Sequence, residues 1–203
     1  MLLAGSPFTT DKLLRATDAW DDVVESIGVG HRIRGMFISP VVGLLDDNAR
    51  AAVLRTLGEP PRGGVFVPFL SYARRDYLRI VLAAARASVD DVALAERIRR
   101  IARNDFATFS ASVFGKTVRA AVPTARAALL KTPQVYAVVA PADDGVVVGG
   151  PVNGGVELVF RRYPILWPYH LGQLEGMVKS YNEACAIDVD VEEDVVVYRV
   201  RMM

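Results

Sequence analysis

The order of patterns along the chain predicts an α+β fold, in which an N-terminal helical bundle packs on a C-terminal antiparallel sheet with one helix inserted between strands. Apolar residues recur at helical spacing through most of the first 132 residues. After Thr132-Pro133 the pattern changes to short valine-rich segments bounded by Gly, Pro, Asp and Asn. We therefore expect one domain over residues 1–203. Within it, residues 1–30 form a helical N-terminal extension, residues 31–132 the mainly helical part and residues 133–203 the antiparallel sheet part.

The first part of the chain is predicted to be almost entirely helical, with bounds set by capping residues and by Gly and Pro. The exception is Arg32–Ser39, where basic and apolar residues begin by alternating, which predicts a short strand or an extended arm. The predicted helices run from Thr10 to Ile27, from Pro40 to about Leu57, from Phe69 to Ala87, from Ser88 to Gly115, and from Lys116 to Lys131 with a bend or restart at Pro123.

The last part of the chain is predicted to form strands, because valine is enriched in pleated, half-buried structure. Asn153-Gly154 is a strong signal for a hairpin turn. One helix, at about Tyr169–Glu183, is expected among the strands. The predicted strands are Val135–Ala140, Val146–Val148, Val156–Arg162, Ala186–Val191 and Val195–Arg201.

The composition narrows the possible classes of function. The net charge is +1, with 24 basic and 23 acidic residues, which argues against nucleic acid as a partner because phosphate binding needs a basic excess on one face. Hydrophobic residues make up 52%, enough for a large core and for covering a partner or a ligand cavity. No apolar stretch approaches the ~18 residues that span a bilayer. The single cysteine, Cys185, and the lack of a signal-peptide pattern predict a cytoplasmic protein.

The sequence carries no catalytic or metal-binding signature. His31 and His170 lie far apart, with no Cys or His at ligand spacing, so we expect no metal site. Cys185 is interpreted as a structural thiol. No nucleophile and base stand at motif spacing, so we predict no catalytic residue and no enzymatic activity. The alternative is an enzyme that converts a small molecule in a pocket between helices and sheet, with polar groups drawn from Tyr72, Arg75, His170 and Glu175.

Aromatic side chains provide the candidate ligand site. They either fill the core or line a cavity that binds an apolar ligand between the helices and the sheet. His170 is either a capping or packing imidazole or a polar group of the same site. The candidate ligand-binding residues are Phe106, Phe109, Phe114, Tyr136, Phe160, Trp167, Tyr169 and His170.

Two features suggest contacts with other elements or molecules. Gly172 and Gly176 lie four residues apart in the last helix, where each costs about 1 kcal/mol relative to Ala. They indicate a close approach to the sheet or an interface in a homodimer, which we expect to use the C-terminal sheet or its helix. The basic cluster of one helix is either a solvated face balanced by acidic neighbours or a patch that binds an anion or a partner. Its members are Arg97, Arg99, Arg100 and Arg103.

Three short segments carry a family resemblance that spans about Arg32 to the C-terminus. They are Arg34-Gly35-Met36-Phe37, Tyr72-Ala-Arg-Arg-Asp-Tyr77-Leu78 and Leu171-Gly172-Gln-Leu-Glu-Gly176. With these segments the chain resembles a family of paralogous myxobacterial proteins of uncharacterised function and similar length. The resemblance implies no activity, because none of the segments is catalytic.

The order of elements is also similar to that of the haem–nitric-oxide-binding and vinyl-reductase-type small-molecule-binding group. This similarity implies helices before a C-terminal antiparallel sheet, with a ligand held between them. Its haem branch is expected to have an axial histidine on a helix before the sheet and a Tyr-x-Ser-x-Arg set for the propionates. The helix around Asp105 and the stretch Pro123–Lys131 contain no histidine, and Ser71-Tyr72-Ala-Arg74 has the wrong order for that set. The similarity therefore implies the fold without haem.

These observations predict a non-enzymatic module with a sensory or scaffold role. It is expected to bind an apolar small molecule or a protein partner, to form a homodimer, and to use no cofactor, metal ion or nucleic acid. The small-molecule-converting enzyme remains the alternative.

Overall fold

The computed structural model describes residues 20–28, 30–88, 90–139, 146–161, 166–192 and 195–203. Eight helices and two antiparallel sheets form this part of the chain. The helices are α1 (Trp20–Glu25), α2 (Gly35–Val42), α3 (Asp47–Arg55), α4 (Arg74–Ala87), α5 (Leu94–Ala111), α6 (Val113–Ala121), α7 (Ala125–Val139) and α8 (Trp167–Ser180), with a short 3₁₀ turn at Arg62–Gly64. The strands are β1 (Arg32–Arg34), β2 (Ser71–Ala73), β3 (Val146–Val152), β4 (Gly155–Arg161), β5 (Cys185–Val191) and β6 (Val195–Met202).

Local polar contacts fix the ends of several helices. The Asp46 carboxylate accepts a hydrogen bond from the Ala49 amide at 2.8 Å and caps α3. Ser112 caps α6 in the same way through the Gly115 amide at 3.0 Å. The buried Asp76 carboxylate of α4 accepts from the amides of Gly58 and Glu59, which ties the loop after α3 to the core. These contacts fix the start of α3, the start of α6 and the loop after α3 within the helical part of the chain.

The C-terminal sheet is antiparallel throughout, with strand order β3-β4-β6-β5. Its inner face is apolar, and the register places Leu158 beside Tyr198 and Phe160 beside Val196. Its outer face carries an ion pair between Arg199 and Glu157. Because side chains alternate along a strand, this division gives one buried face that packs on the helices.

The α+β class and the order of helices before sheet are confirmed. Four of the predicted strands match β3, β4, β5 and β6, and Gly154 in the predicted hairpin turn has a φ of 75°. The helix in the sheet part is confirmed as α8, which begins and ends slightly earlier than expected.

The strand predicted at Val135–Ala140 is wrong, because α7 continues through Pro133 to Val139. Valine favours strands only where it packs on a pleated surface, and here α7 lies across β3 and β4 instead of joining the sheet. The sheet accordingly begins at Val146 and not shortly after residue 133.

Smaller corrections concern the helical part. Pro40 does not open a helix, because it lies inside α2, and the extended stretch from Arg32 ends at Arg34. Ser88 does not cap the next helix, which begins at Leu94. The residues expected to be helical before Trp20 lie outside the described part of the chain.

Candidate functional site

A cavity of about 60 Å³ lies where α2, α4, α5, α7 and α8 meet near β1. Arg74, Tyr136, Tyr169 and Gln173 give its wall a polar part, and the other lining residues are apolar. The lining residues are Ile33, Phe37, Arg74, Phe106, Phe109, Val135, Tyr136, Tyr169, Gln173, Leu174 and Met177.

The lining of the cavity follows from helical periodicity and from aromatic stacking. Tyr169, Gln173 and Met177 lie four residues apart on α8 and therefore face the same direction. From the opposite wall, Phe109 of α5 stacks on Phe37 of α2 with ring centroids 6.2 Å apart. The rings hold this wall in place by packing on each other.

The polar side begins with a buried pair formed by Arg74 and His170. The Arg74 Nη2 atom lies 3.1 Å from His170 Nε2, and both residues are buried. An arginine side chain only donates, so Nε2 accepts, and a neutral imidazole then carries its proton on Nδ1. Burial, and secondly the Arg74 charge, hold the pKa of His170 well below its ordinary value. Arg74 of this pair also forms part of the cavity wall.

A chain of hydroxyl and amide groups continues the polar side. Tyr136 donates to Gln173 Oε1 at 2.6 Å, and Gln173 Nε2 donates to the Tyr169 hydroxyl at 3.2 Å. The Tyr169 hydroxyl lies 2.5 Å from that of Tyr77, which is fully buried. These hydrogen bonds link α4, α7 and α8. A change at the cavity would therefore affect the positions of all three helices.

The structure brings half of the predicted ligand-binding residues to this cavity: Phe106, Phe109, Tyr136 and Tyr169. Phe160 and His170 stand directly behind Tyr136, with ring centroids 5.5 Å and 5.3 Å from its own. Trp167 packs against Trp20 instead, at 6.4 Å. The side chain of Phe114 lies outside the described part of the structure.

The residues of the enzyme alternative do not meet in one pocket. The hydroxyl of Tyr72, a residue of β2, accepts a hydrogen bond from the Val67 amide in the preceding loop. Glu175 instead accepts hydrogen bonds from arginines of α5. Burial, and secondly the Glu175 charge, raise the pKa of the Cys185 thiol, which disfavours a thiolate nucleophile. No group of three His, Cys, Asp or Glu side chains within the described ranges is arranged to hold a metal ion.

The two glycines of α8 lie against α5. A Cβ atom on Gly172 would collide with the Arg99 carbonyl and stand 2.9 Å from the Ala102 Cβ, and one on Gly176 would stand 2.5 Å from the Arg103 carbonyl. The close approach is therefore to a helix of the same chain and not to the sheet. The close approach of α5 accounts for both glycines without a second copy, and the homodimer and the part of these residues in it stay predictions.

The basic cluster of α5 is neutralised within the chain. Glu175 accepts hydrogen bonds from Arg99 Nε at 2.9 Å and Arg103 Nε at 2.6 Å. Arg97 and Arg100 both pair with Asp90. These pairs favour the interpretation of a balanced face over that of an anion-binding patch.

Sequence patterns did not identify several residues of the cavity, above all Arg74 and Gln173. Both had a weak signal, since Arg74 lies in the segment Tyr72–Leu78 and Gln173 stands directly after Gly172 on an otherwise apolar helix face. For the remaining lining residues, no sequence pattern distinguishes a cavity wall from an ordinary core. They are Ile33, Phe37, Val135, Leu174 and Met177.

Solved structures with the same fold are H-NOX proteins. A mutant of the T. tengcongensis H-NOX protein is 19% identical, with a TM-score of 0.63 over 83% of this chain and 94% of that chain. The Fe(II) unliganded H-NOX protein from K. algicida is 13% identical, with a TM-score of 0.62 over 84% of this chain and 97% of that one. An oxygen-binding H-NOX domain related to soluble guanylate cyclases, solved as its oxygen complex, is 19% identical, with a TM-score of 0.60 over 83% and 90%. The chain therefore has an H-NOX-like fold.

The sequence identifies the family more directly than the fold does. Residues 27–201 match the model of a family described as a protein of unknown function (DUF2378), and the chain belongs to this family. No curated protein matches the sequence. That the family is myxobacterial stays a prediction.

Haem, whose distortion in the H-NOX family is the subject of one of the similar structures, does not fit the residues present. Sites for cofactors of that class occupy roughly 300–1,000 Å³, whereas this cavity measures about 60 Å³. The described side chains of α7 include no histidine, and Nε2 of His170 on α8 already accepts from Arg74. The rings of Tyr136, Phe160 and His170 pack on one another beside the cavity, with centroids 4.9 to 5.5 Å apart.

Proposed function

We propose that the protein is a non-enzymatic sensory module that binds a small molecule in the cavity between α5, α7 and α8. The observation that carries this proposal is the mixed lining of the cavity, in which Arg74, Gln173 and two tyrosine hydroxyls stand among aromatic and aliphatic groups. Ligand pockets typically combine an apolar lining with a few placed polar groups in this way. The likeness to H-NOX structures, one of them an oxygen-binding domain, supports a binding role.

The cavity limits the ligand to a few non-hydrogen atoms. An apolar cavity of ~150 Å³ is known to admit benzene, with six carbon atoms, and this cavity is less than half as large. Arg74 favours an anionic end on the ligand, and Gln173 and Tyr136 offer further polar contacts beside it. The aromatic wall favours a small apolar remainder. A short carboxylate has both properties.

Ligand binding would change hydrogen bonds that connect the cavity to other helices. A ligand that contacts Gln173 competes with the hydrogen bonds to Tyr136 and Tyr169, which join α7, α8 and, through Tyr77, α4. A ligand shifts a conformational equilibrium only through contacts that differ between two states. The hydrogen bonds of Gln173 would be made in the unbound state and replaced in the bound state. This difference would allow the protein to act as a sensor.

The test compares acetate with acetamide, which have the same shape and differ in charge. Titration of the ¹⁵N-labelled protein is expected to give saturable amide shifts around Arg74, Tyr136 and Gln173, with acetate binding at least about tenfold more tightly. Equal affinity for the two probes would contradict recognition by Arg74. No saturable shift with either probe would overturn the small-molecule module.

A matched pair of variants locates the binding site. Val135→Phe adds a ring to the cavity wall, whereas Val138→Phe adds one to the same helix at a position that is 53% exposed. We expect Val135→Phe to abolish the acetate shifts and Val138→Phe to leave them unchanged. Acetate shifts that persist undiminished in Val135→Phe would place binding elsewhere.

None of the described helices is both long and apolar enough to cross a membrane. The homodimer, the cytoplasmic location, the single-domain organisation and the absence of a cofactor stay predictions.

A further inference from the structure

The loop between the 3₁₀ turn and β2 exposes four large apolar side chains within six residues. Phe69 is 77% exposed and Val65 is 64% exposed, and Val67 and Leu70 are also exposed. Pro68 lies between them, so the exposed stretch is continuous except for one buried residue, Phe66. We call residues 65–70 the apolar loop. Concentrated apolar exposure of this kind marks a binding surface more often than a chance arrangement.

The apolar loop is held in place by the fold. Phe66 packs edge-on against Tyr72, with ring centroids 5.0 Å apart, and the Tyr72 hydroxyl accepts from the Val67 amide at 2.8 Å. The Gly35 amide donates to the Leu70 carbonyl at 2.9 Å, and the Met36 amide to the Pro68 carbonyl at 3.1 Å. The backbone is therefore fixed, and the exposed side chains are presented in a defined position.

The charges around the apolar loop are positive. Residues 60–75 contain three arginines and no acidic residue; Arg62 is exposed, Arg75 is partly exposed and Arg74 is buried. Arg62 is exposed just before the loop, and Arg34 reaches across from β1 to donate to the Phe69 carbonyl at 2.8 Å. The neighbouring Glu59 is already paired with Arg32 at 2.8 Å. A partner of this surface is thus apolar at its centre and anionic around it.

We propose that the apolar loop docks the protein on the surface of an anionic membrane. Phe69 and Leu70 enter the interface between headgroups and acyl chains, and Arg62 and Arg34 contact the anionic headgroups. The exposed Arg62 and the Arg34 side chain beside the loop suit an anionic surface, and the large apolar side chains suit the acyl boundary beneath it. The loop is separate from the cavity lining, so docking would not compete with the proposed ligand.

The test is co-sedimentation with vesicles of phosphatidylcholine alone and of phosphatidylcholine with one quarter phosphatidylglycerol. The wild-type protein is expected to bind the anionic vesicles at least tenfold more tightly than the neutral ones. Phe69→Ser combined with Leu70→Ser should weaken binding at least tenfold. Val113→Ser is the control, because it removes an apolar side chain that is 81% exposed on α6 and should not change binding.

A second variant separates charge from insertion. Arg62→Gln should weaken binding to the anionic vesicles only. Absence of vesicle binding by the wild type, or wild-type binding by the Phe69/Leu70 double variant, would overturn the proposal. So would a concentration-dependent dimer in light scattering that the double variant loses, because the loop would then be an interface between copies of this chain.

Discussion

Helix α8 meets α5 along one face and the cavity along another, and the two faces are built differently. On the α5 face, Gly172 and Gly176 bring the two backbones into direct contact, and Glu175 joins two arginines of α5. On the cavity face, Tyr169, Gln173 and Met177 border about 60 Å³ of open space. One helix therefore combines a close backbone contact at its glycines with a wall of the aromatic-lined cavity.

This difference shows how a small domain can hold a cavity without losing its fold. Open space forfeits dispersion contacts on the side chains that line it, and the loss must be offset elsewhere. The close contact of α8 with α5 provides tight packing immediately beside the cavity. We infer that the glycine face keeps α8 in position and leaves the tyrosines and Gln173 free to respond to a ligand.

The largest effect is expected from Gly172→Ala. Alanine is the better helix former by about 1 kcal/mol, but its Cβ would collide with the Arg99 carbonyl, which is backbone and cannot move aside. We expect a net loss of about 3 kcal/mol of unfolding free energy in urea denaturation.

The control for this prediction is Gly150→Ala on β3, where a Cβ would meet no atom within 4 Å. It should change the unfolding free energy by less than about 0.5 kcal/mol. If Gly172→Ala were as stable as the wild type, α8 and α5 would not be in close contact, and the comparison between the two faces would fail.

An intermediate effect is expected from Glu175→Gln, which removes the carboxylate between Arg99 and Arg103. Burial acts to raise the pKa of Glu175, but the hydrogen bonds from Arg99 and Arg103 outweigh it and hold the pKa below its ordinary value. The ion pair is partly buried, so we expect a loss of about 2 kcal/mol at pH 7. Asp188→Asn, which removes a pair exposed on the sheet, should cost at most about 0.5 kcal/mol.

The pH dependence of this effect has a definite sign. Since the folded pKa of Glu175 is lowered, its contribution is present above the unfolded pKa and is lost as the pH falls through the folded pKa. The stability difference between wild type and Glu175→Gln should therefore narrow below about pH 4.5. A difference that stays constant down to the acid transition would show that the charge of Glu175 contributes nothing.

The smallest effect concerns His170 on the cavity side. Because its pKa is lowered in the folded protein, the unfolded chain takes up a proton that the folded one does not as the pH falls below about 6.5. Between pH 7.5 and 5.5 this should remove about 1 kcal/mol of unfolding free energy. His170→Gln should lack this part of the pH dependence.

Imidazole ¹⁵N spectra give an independent measurement for His170. The signals that disappear in His170→Gln should report a neutral ring with its proton on Nδ1 down to about pH 5.5. A ring that titrates near its ordinary pKa would mean that Arg74 and His170 are not a buried pair, and the polar side of the cavity would need a different description.

Local periodicity in the sequence was enough to predict the division into helices and sheet, because the 3.6-residue and two-residue periods are local properties of the chain. It identified β4, β6 and the turn at Gly154, and it showed that Gly172 and Gly176 face a surface with no room for side chains. Four aromatic residues of the cavity, Phe106, Phe109, Tyr136 and Tyr169, were also among the predicted ligand-binding residues.

Three features became known only from the folded structure. The glycines of α8 contact α5, Val135 and Tyr136 lie on a helix, and a cavity remains between the helices. Arg74 and His170 are 96 residues apart, and no local pattern relates them. Their contact depends on how α4 and α8 cross in the folded molecule. Local periodicity fixes which face of each element is apolar, whereas the partner of that face, and any space left between the two, depends on the packing of the whole chain.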